Sequence, residues 1–161
     1  MKPILVQMSD KQWTLQAVHL ACALARSNQT TIILLRLMPA RHPGYLGTEF
    51  GDTPPTDEEH KEIDEYAATA ADYGVAMCLQ PMQYVNRLEA VSDAADQLDT
   101  AIVFAHIPPG RIPYWHRFQR WNLKRQLSAA HRQLFTLDQQ TDRPDSIPAV
   151  IITPSPVRSK S

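Results

Sequence analysis

The sequence predicts an α/β domain built on a five-stranded parallel sheet, doubly wound with helices on both faces. Three observations carry this: five short runs are continuously apolar instead of alternating, stretches of helical period lie between them, and the two kinds of segment alternate along the chain. A continuous apolar run belongs to a strand covered on both sides, and strict alternation with helices favours right-handed parallel crossovers.

The runs are Ile4–Val6, Ile32–Leu35, Val75–Leu79, Ala101–Ala105 and Ala149–Ile152. After the first, Leu15, Val18, Cys22 and Ala25 step by three and four residues and form one stripe along a helix. A second helix is expected over about 56–73. Thr56 stands at its cap, Asp57, Glu58 and Glu59 sit at its positive end, and Gly74 follows its last turn. Its core stripe is thin: Ile63, Tyr66, Ala67 and Ala70. Leu88, Val91, Ala95 and Leu98 mark a third helix. Leu123, Leu127, Ala130, Leu134 and Leu137 mark a fourth within about 115–138. Two segments lack period: Pro39 to Pro55, rich in Gly and Pro, reads as a long loop, and the closing PSPVRSKS reads as a polar, disordered tail. The expected organisation is one domain over 1–153 and a tail over 154–161.

Composition narrows the function classes. At 161 residues with 43% hydrophobic content, the chain buries enough surface to fold without a staple or a metal. A net charge of −1 gives no global attraction to nucleic acid or to acidic membranes, so no nucleic-acid partner is expected. No apolar run reaches the roughly 18 residues of a membrane span, and the start MKPILVQMSD is too short for a signal peptide, so no membrane insertion is expected. Cys22 and Cys78 each lie in an apolar stretch and suit reduced core thiols, which places the chain in the cytoplasm. Six scattered histidines show no ligand spacing, and no metal site is expected.

In an open doubly wound sheet, ligands sit beyond the carboxyl ends of the strands where the strand order reverses. The loops that meet there follow strands one and four. They read Ser9-Asp10-Lys11 and His106-Ile107-Pro108-Pro109-Gly110-Arg111-Ile112-Pro113. Ser9, Asp10 and His106 would then be neighbours, an arrangement open either to nucleophile and base chemistry or to a histidine hydrogen-bonded at a strand end.

Two longer stretches carry a resemblance. ILVQMSDKQWTLQAVHLACALARSNQTTIILLRLMP is similar to the first strand, helix and second strand of the universal stress protein family, and YGVAMCLQPMQYVNRLEAVSDAADQLDTAIVFAH to its third strand, third helix and fourth strand. PAVIITP matches the family's final strand. The resemblance implies the strand order 3-2-1-4-5 and a stress-response or regulatory role, with homodimers commonly formed through the last strand, here Val150, Ile151 and Ile152. ATP-binding relatives carry three spaced glycines after strand four, which let backbone N–H groups cradle phosphates. Here Gly110 is the one glycine beyond Gly74, and Pro108, Pro109 and Pro113 lack an N–H. The family's acidic residue after strand one aligns with Ser9, one position from Asp10, and its turn beside the adenine aligns with Tyr84-Val85-Asn86.

The expectation is therefore a non-enzymatic homodimer that works through protein partners, with no cofactor and no catalytic residue. The alternative is a module for ATP, AMP or another phosphorylated ligand, held by Ser9, Asp10, Val85, Asn86, His106 and Gly110, with Arg111, Arg117 and Arg120 replacing the glycine cradle. Arg111, Arg117, Arg120, Lys124, Arg125 and Arg132 are interleaved with Tyr114, Trp115, Phe118 and Trp121 and no acid. That segment suits either anion binding or a solvated helix face. The eight acids within 49–65 suit a soluble face or a salt-sensitive contact with the basic segment of a second subunit.

Overall fold

The computed structural model describes residues 1–40, 44, 53–107 and 113–137. Along the chain run β1 (Ile4–Gln7), α1 (Lys11–Asn28), β2 (Ile32–Pro39), α2 (Asp57–Asp72), β3 (Met77–Tyr84), α3 (Arg87–Gln97), β4 (Ile102–Phe104), α4 (Pro113–Ala129) and β5 (Gln133–Phe135). All strand pairs are parallel, in the order β3-β2-β1-β4-β5. The sequence expectation of a five-stranded parallel sheet holds.

Helices α1, α2 and α3 each begin where a side chain satisfies an orphan N–H. Asp10 accepts from the Trp13 N–H at 2.9 Å to open α1, and Asn86 accepts from the Leu88 N–H at 3.1 Å to open α3. For α2, Thr56 and Glu59 form a reciprocal capping box, with the Glu59 N–H donating to Thr56 Oγ1 at 3.2 Å and the Thr56 N–H to Glu59 Oε2 at 3.1 Å. Gln29 at φ 51° closes α1, and Gly74 at φ +71° follows α2 where a side chain would be strained.

Side chains alternate through the central strands and feed two cores. Ile4, Val6, Ile32, Leu34 and Phe104 pack under α1 and α2 with Trp13, Ala17, Cys22 and Tyr66. Leu5, Ile33, Leu35, Val103 and Ala105 pack under α3 and α4 with Val91, Ala95, Leu123 and Leu127.

Four expectations need correction. The strand beside β4 is Gln133–Phe135, a position assigned from sequence to Ala149–Ile152; the latter run, with Val150, Ile151 and Ile152, lies outside the described residues. Consequently the fourth helix stops at Ala129 instead of running to Leu137. His131 takes φ 57°, which reverses the chain, and the nine-tenths buried Arg132 side chain ties the turn down through Asp96 and the Thr100 carbonyl. A four-three-four-three spacing cannot distinguish a longer helix from a helix followed by a strand, and here Leu134 in β5 and Leu137 beyond it pack, partly buried, against opposite cores. Third, β3 lies at the sheet margin and is largely exposed, so Cys78 is a surface thiol, whereas Cys22 is buried and its pKa is pushed up to about 11 by that burial. Pro81, which cannot donate to a ladder, is tolerated on such an edge. Fourth, Ala67 is exposed rather than part of the α2 core stripe.

A buried tyrosine and a half-buried carboxylate make predictions. Tyr66 is fully buried and its hydroxyl lacks a hydrogen-bond partner of good geometry; burial pushes the hydroxyl up to about 12, Glu62 adding to the effect and the Thr14 hydroxyl opposing it. Tyr66→Phe should therefore leave stability unchanged or raised in chemical denaturation, while Tyr66→Ala should cost about 3–5 kcal/mol. Burial raises the Glu59 carboxyl, but the Arg36 guanidinium and the Thr56 N–H outweigh it and hold the group below its ordinary 4.5. A lowered folded-state value stabilises above that pH and is lost as pH falls through it. Acid unfolding of Glu59→Gln should show a shallower loss of stability below pH 4.5 than the parent.

Candidate functional site

The strand order reverses between β1 and β4, and the crevice expected there is bounded by Met8, Ser9 and Asp10 on one side and Ala105, His106 and Ile107 on the other. Ser9 and His106 meet across it, Ser9 Oγ lying 2.9 Å from His106 Nδ1. Each is held from behind. The Ser9 N–H donates to Thr14 Oγ1 at 2.8 Å, and the His106 N–H donates to Gln7 Oε1 at 3.0 Å. Thr14 and Gln7 are both buried. The indole of Trp13, also buried, packs on the His106 ring with centroids 5.1 Å apart and donates from Nε1 to the Leu137 carbonyl at 3.2 Å.

A hydroxyl bonded to an imidazole is the first half of a nucleophile and base pair. Asp10 takes a different part, since one of its oxygens caps α1 at Trp13. The Ser9–His106 bond ties the β1 loop to the end of β4 over a packed indole. Gln7 Nε2 remains without a hydrogen-bond partner beneath it.

The remaining sequence candidates do not gather here. Val85 is exposed just beyond β3, and Asn86 caps α3; β2 stands between β3 and β1, so both lie roughly 10 Å of sheet away from the Ser9 strand. Beside them the Arg87 guanidinium donates to the Tyr84 hydroxyl at 3.1 Å and lies over its ring. Arg117 and Arg120 are exposed on α4. Gly110 and Arg111 lie outside the described residues.

Sequence reasoning passed over four residues that shape this end of the sheet. Gln7, Trp13 and Thr14 support the Ser9–His106 contact; the available signal was a lone glutamine closing an apolar strand. Arg36 is the other. Nine-tenths buried within β2, it donates to the Thr53 carbonyl at 2.7 Å and to Glu59 Oε2 at 2.9 Å, with Nε unpartnered. Together with Met38, Pro39, Pro54 and Thr56 it lines a cavity of about 370 Å³ at the end of β2. An arginine inside IILLRL is a visible anomaly, but its partners are about 20 residues away and no local period points to them.

Among the described residues, no group of three His, Cys, Asp or Glu side chains is placed to hold a metal ion, and no helix is long and apolar enough to cross a membrane.

No family model and no curated protein matches the sequence. Solved structures do match. A universal stress protein in complex with cAMP superposes with a TM-score of 0.57 at 13% identity, over 84% of this chain and 95% of that one. A universal stress protein family member from Burkholderia pseudomallei gives 0.55 at 17% identity, over 84% and 95%. The universal stress protein from Archaeoglobus fulgidus in complex with dAMP gives 0.53 at 13%, over 84% and 97%. With the sheet order, the two-sided packing and the near-complete overlap in agreement, the chain has the fold of the universal stress proteins.

Proposed function

We propose that this protein is a non-enzymatic regulatory module of the universal stress type, acting in the cytoplasm as a homodimer through contacts with protein partners and without ATP binding of the usual kind. The observation that carries this reading is the Ser9–His106 bond. Side chains at the switch point are engaged with one another: Thr14 and Gln7 hold the two backbones, Asp10 caps α1, and Trp13 fills the space below. A phosphate cradle needs converging, unengaged N–H donors and close backbone approach. The sequence lacks the spaced glycines that would supply them. Among the described residues β5 is the outer strand of the sheet, and a sheet edge invites pairing with another chain, which a homodimer would use.

A second reading has one observation in its favour: structures sharing this fold carry cAMP and dAMP. On that reading ATP, AMP or a related phosphorylated ligand would displace the Ser9–His106 bond, and Arg111, Arg117 and Arg120 would take the phosphates.

Thermal unfolding with and without millimolar ATP and magnesium, repeated with cAMP, separates the two. The expected outcome is no shift and no nucleotide in a mass spectrum of the purified protein. Ligand at about 100 times its dissociation constant would stabilise by roughly 2.7 kcal/mol, a rise of several degrees, and would establish the second reading instead. Sedimentation at micromolar concentration should give twice the 18.2 kDa chain mass, and a mass of one chain overturns the homodimer. Ser9→Ala and His106→Ala should leave any phosphate release from ATP unchanged; a loss in both would make the pair catalytic.

A further inference from the structure

Helix α4 is two-faced in an unusual sense. Leu123 and Leu127 are buried against the sheet, as any surface helix requires. On the outside, where polar residues belong, Trp115, Phe118 and Trp121 are 51%, 53% and 55% exposed. They form a continuous stripe, with ring centroids 5.8 Å apart between Trp115 and Phe118 and 6.2 Å between Phe118 and Trp121. At 3.6 residues per turn, Phe118, Trp121 and Arg125 lie opposite Leu123 and Leu127, and Trp115 borders them. The stripe runs about 9 Å along the helix axis.

The charges on α4 itself have one sign. Arg117 and Lys124 form an exposed row beside the stripe, and the Arg125 guanidinium lies over the Trp121 ring at 5.4 Å from its centroid. No Asp or Glu occurs anywhere in α4. This local basicity stands out in a chain whose net charge is −1. The surface that complements it must be apolar enough to seat two indoles and a phenyl ring, and anionic enough to meet the cations.

A second copy of the chain fits poorly. Its acids are concentrated on α2, whose exposed apolar residues are small, Ala67 and Ala68 among them. Moreover, α2 packs on the sheet face opposite to α4. A contact from α4 to the α2 of another copy would use different patches on the two subunits and would propagate instead of closing around a two-fold axis. Pairing α4 with α4 would set like charges together. The stripe is also a convex helix surface rather than a groove, and indole and phenyl rings flanked by Arg and Lys are the residue types that settle at the headgroup level of a bilayer.

We propose that the outer face of α4 docks the protein on anionic lipid membranes, with Trp115, Phe118 and Trp121 entering the headgroup region and Arg117, Lys124 and Arg125 meeting lipid phosphates. The docking is peripheral, in keeping with the absence of a spanning helix among the described residues. It goes beyond the partner-binding reading above and does not depend on it.

The test is co-sedimentation of the full chain with vesicles of mixed phosphatidylglycerol and phosphatidylcholine, against vesicles of phosphatidylcholine alone. Binding to the mixed vesicles only, weakened by salt and accompanied by a blue shift of tryptophan emission, is the expected result. Arg117→Gln and Lys124→Gln should each lower partitioning about five-fold. The triple variant Trp115→Ala, Phe118→Ala, Trp121→Ala should abolish it with an unchanged melting temperature and mass in solution. No binding to the mixed vesicles, or equal binding by the triple variant, overturns the proposal. So does a triple variant that melts several degrees lower or loses its dimer, because the face would then be covered by the protein itself. A single-stranded oligonucleotide retained by the parent and lost by the triple variant, with no vesicle binding, would assign the stripe to stacked bases instead.

Discussion

Covering both faces of β1, β2 and β4 is the constraint on which the rest of the structure depends. Backbone polar groups in these strands are satisfied by their neighbours in the sheet, and their side chains, with few exceptions buried from end to end, must find apolar partners above and below. Only helices returning over each face provide these partners. Among the described residues the resulting α1–α2 and α3–α4 layers share no core side chain, and the strands lie between them.

Sealing the sheet this way concentrates polar groups at its carboxyl end. There the loops after β1 and β4 part, and backbone N–H groups that leave the ladder need new acceptors. Gln7 and Thr14 supply them from within the core, and the Ser9–His106 bond then joins the two loops. Two solved structures of the same fold hold cAMP and dAMP. Donors and acceptors that pair with one another at a switch point give less to a ligand than unpaired ones would.

Buried guanidinium groups do comparable work away from the switch point. Arg36 connects β2 to the start of α2 through Glu59 and the Thr53 carbonyl, and Arg132 connects the turn before β5 to Asp96 and the Thr100 carbonyl. Each of these side chains is about nine-tenths buried, so loss of a partner would strand a desolvated charge. They hold in register connections that apolar packing leaves loose.

Apolar runs, helical stripes and cap residues were enough, in the sequence alone, to establish the strands β1, β2 and β4, the helices α1, α2 and α3, and the parallel doubly wound arrangement, because these are set by burial and by contacts within one or two turns. The meeting of Ser9 with His106 was also legible, since it follows from strand order and loop position. Tertiary structure alone decided that Gln133–Phe135 pairs with β4 and that β3, a margin strand in the order the resemblance implied, is exposed enough to put Cys78 on the surface. It also decided which arginines are buried. Those outcomes depend on partners tens of residues distant in the chain, as with Arg36 and Glu59 or Arg132 and Thr100, and on which strand ends at the sheet edge. No local pattern encodes them, because the energy of a buried charge or an edge position is a property of what surrounds it in space.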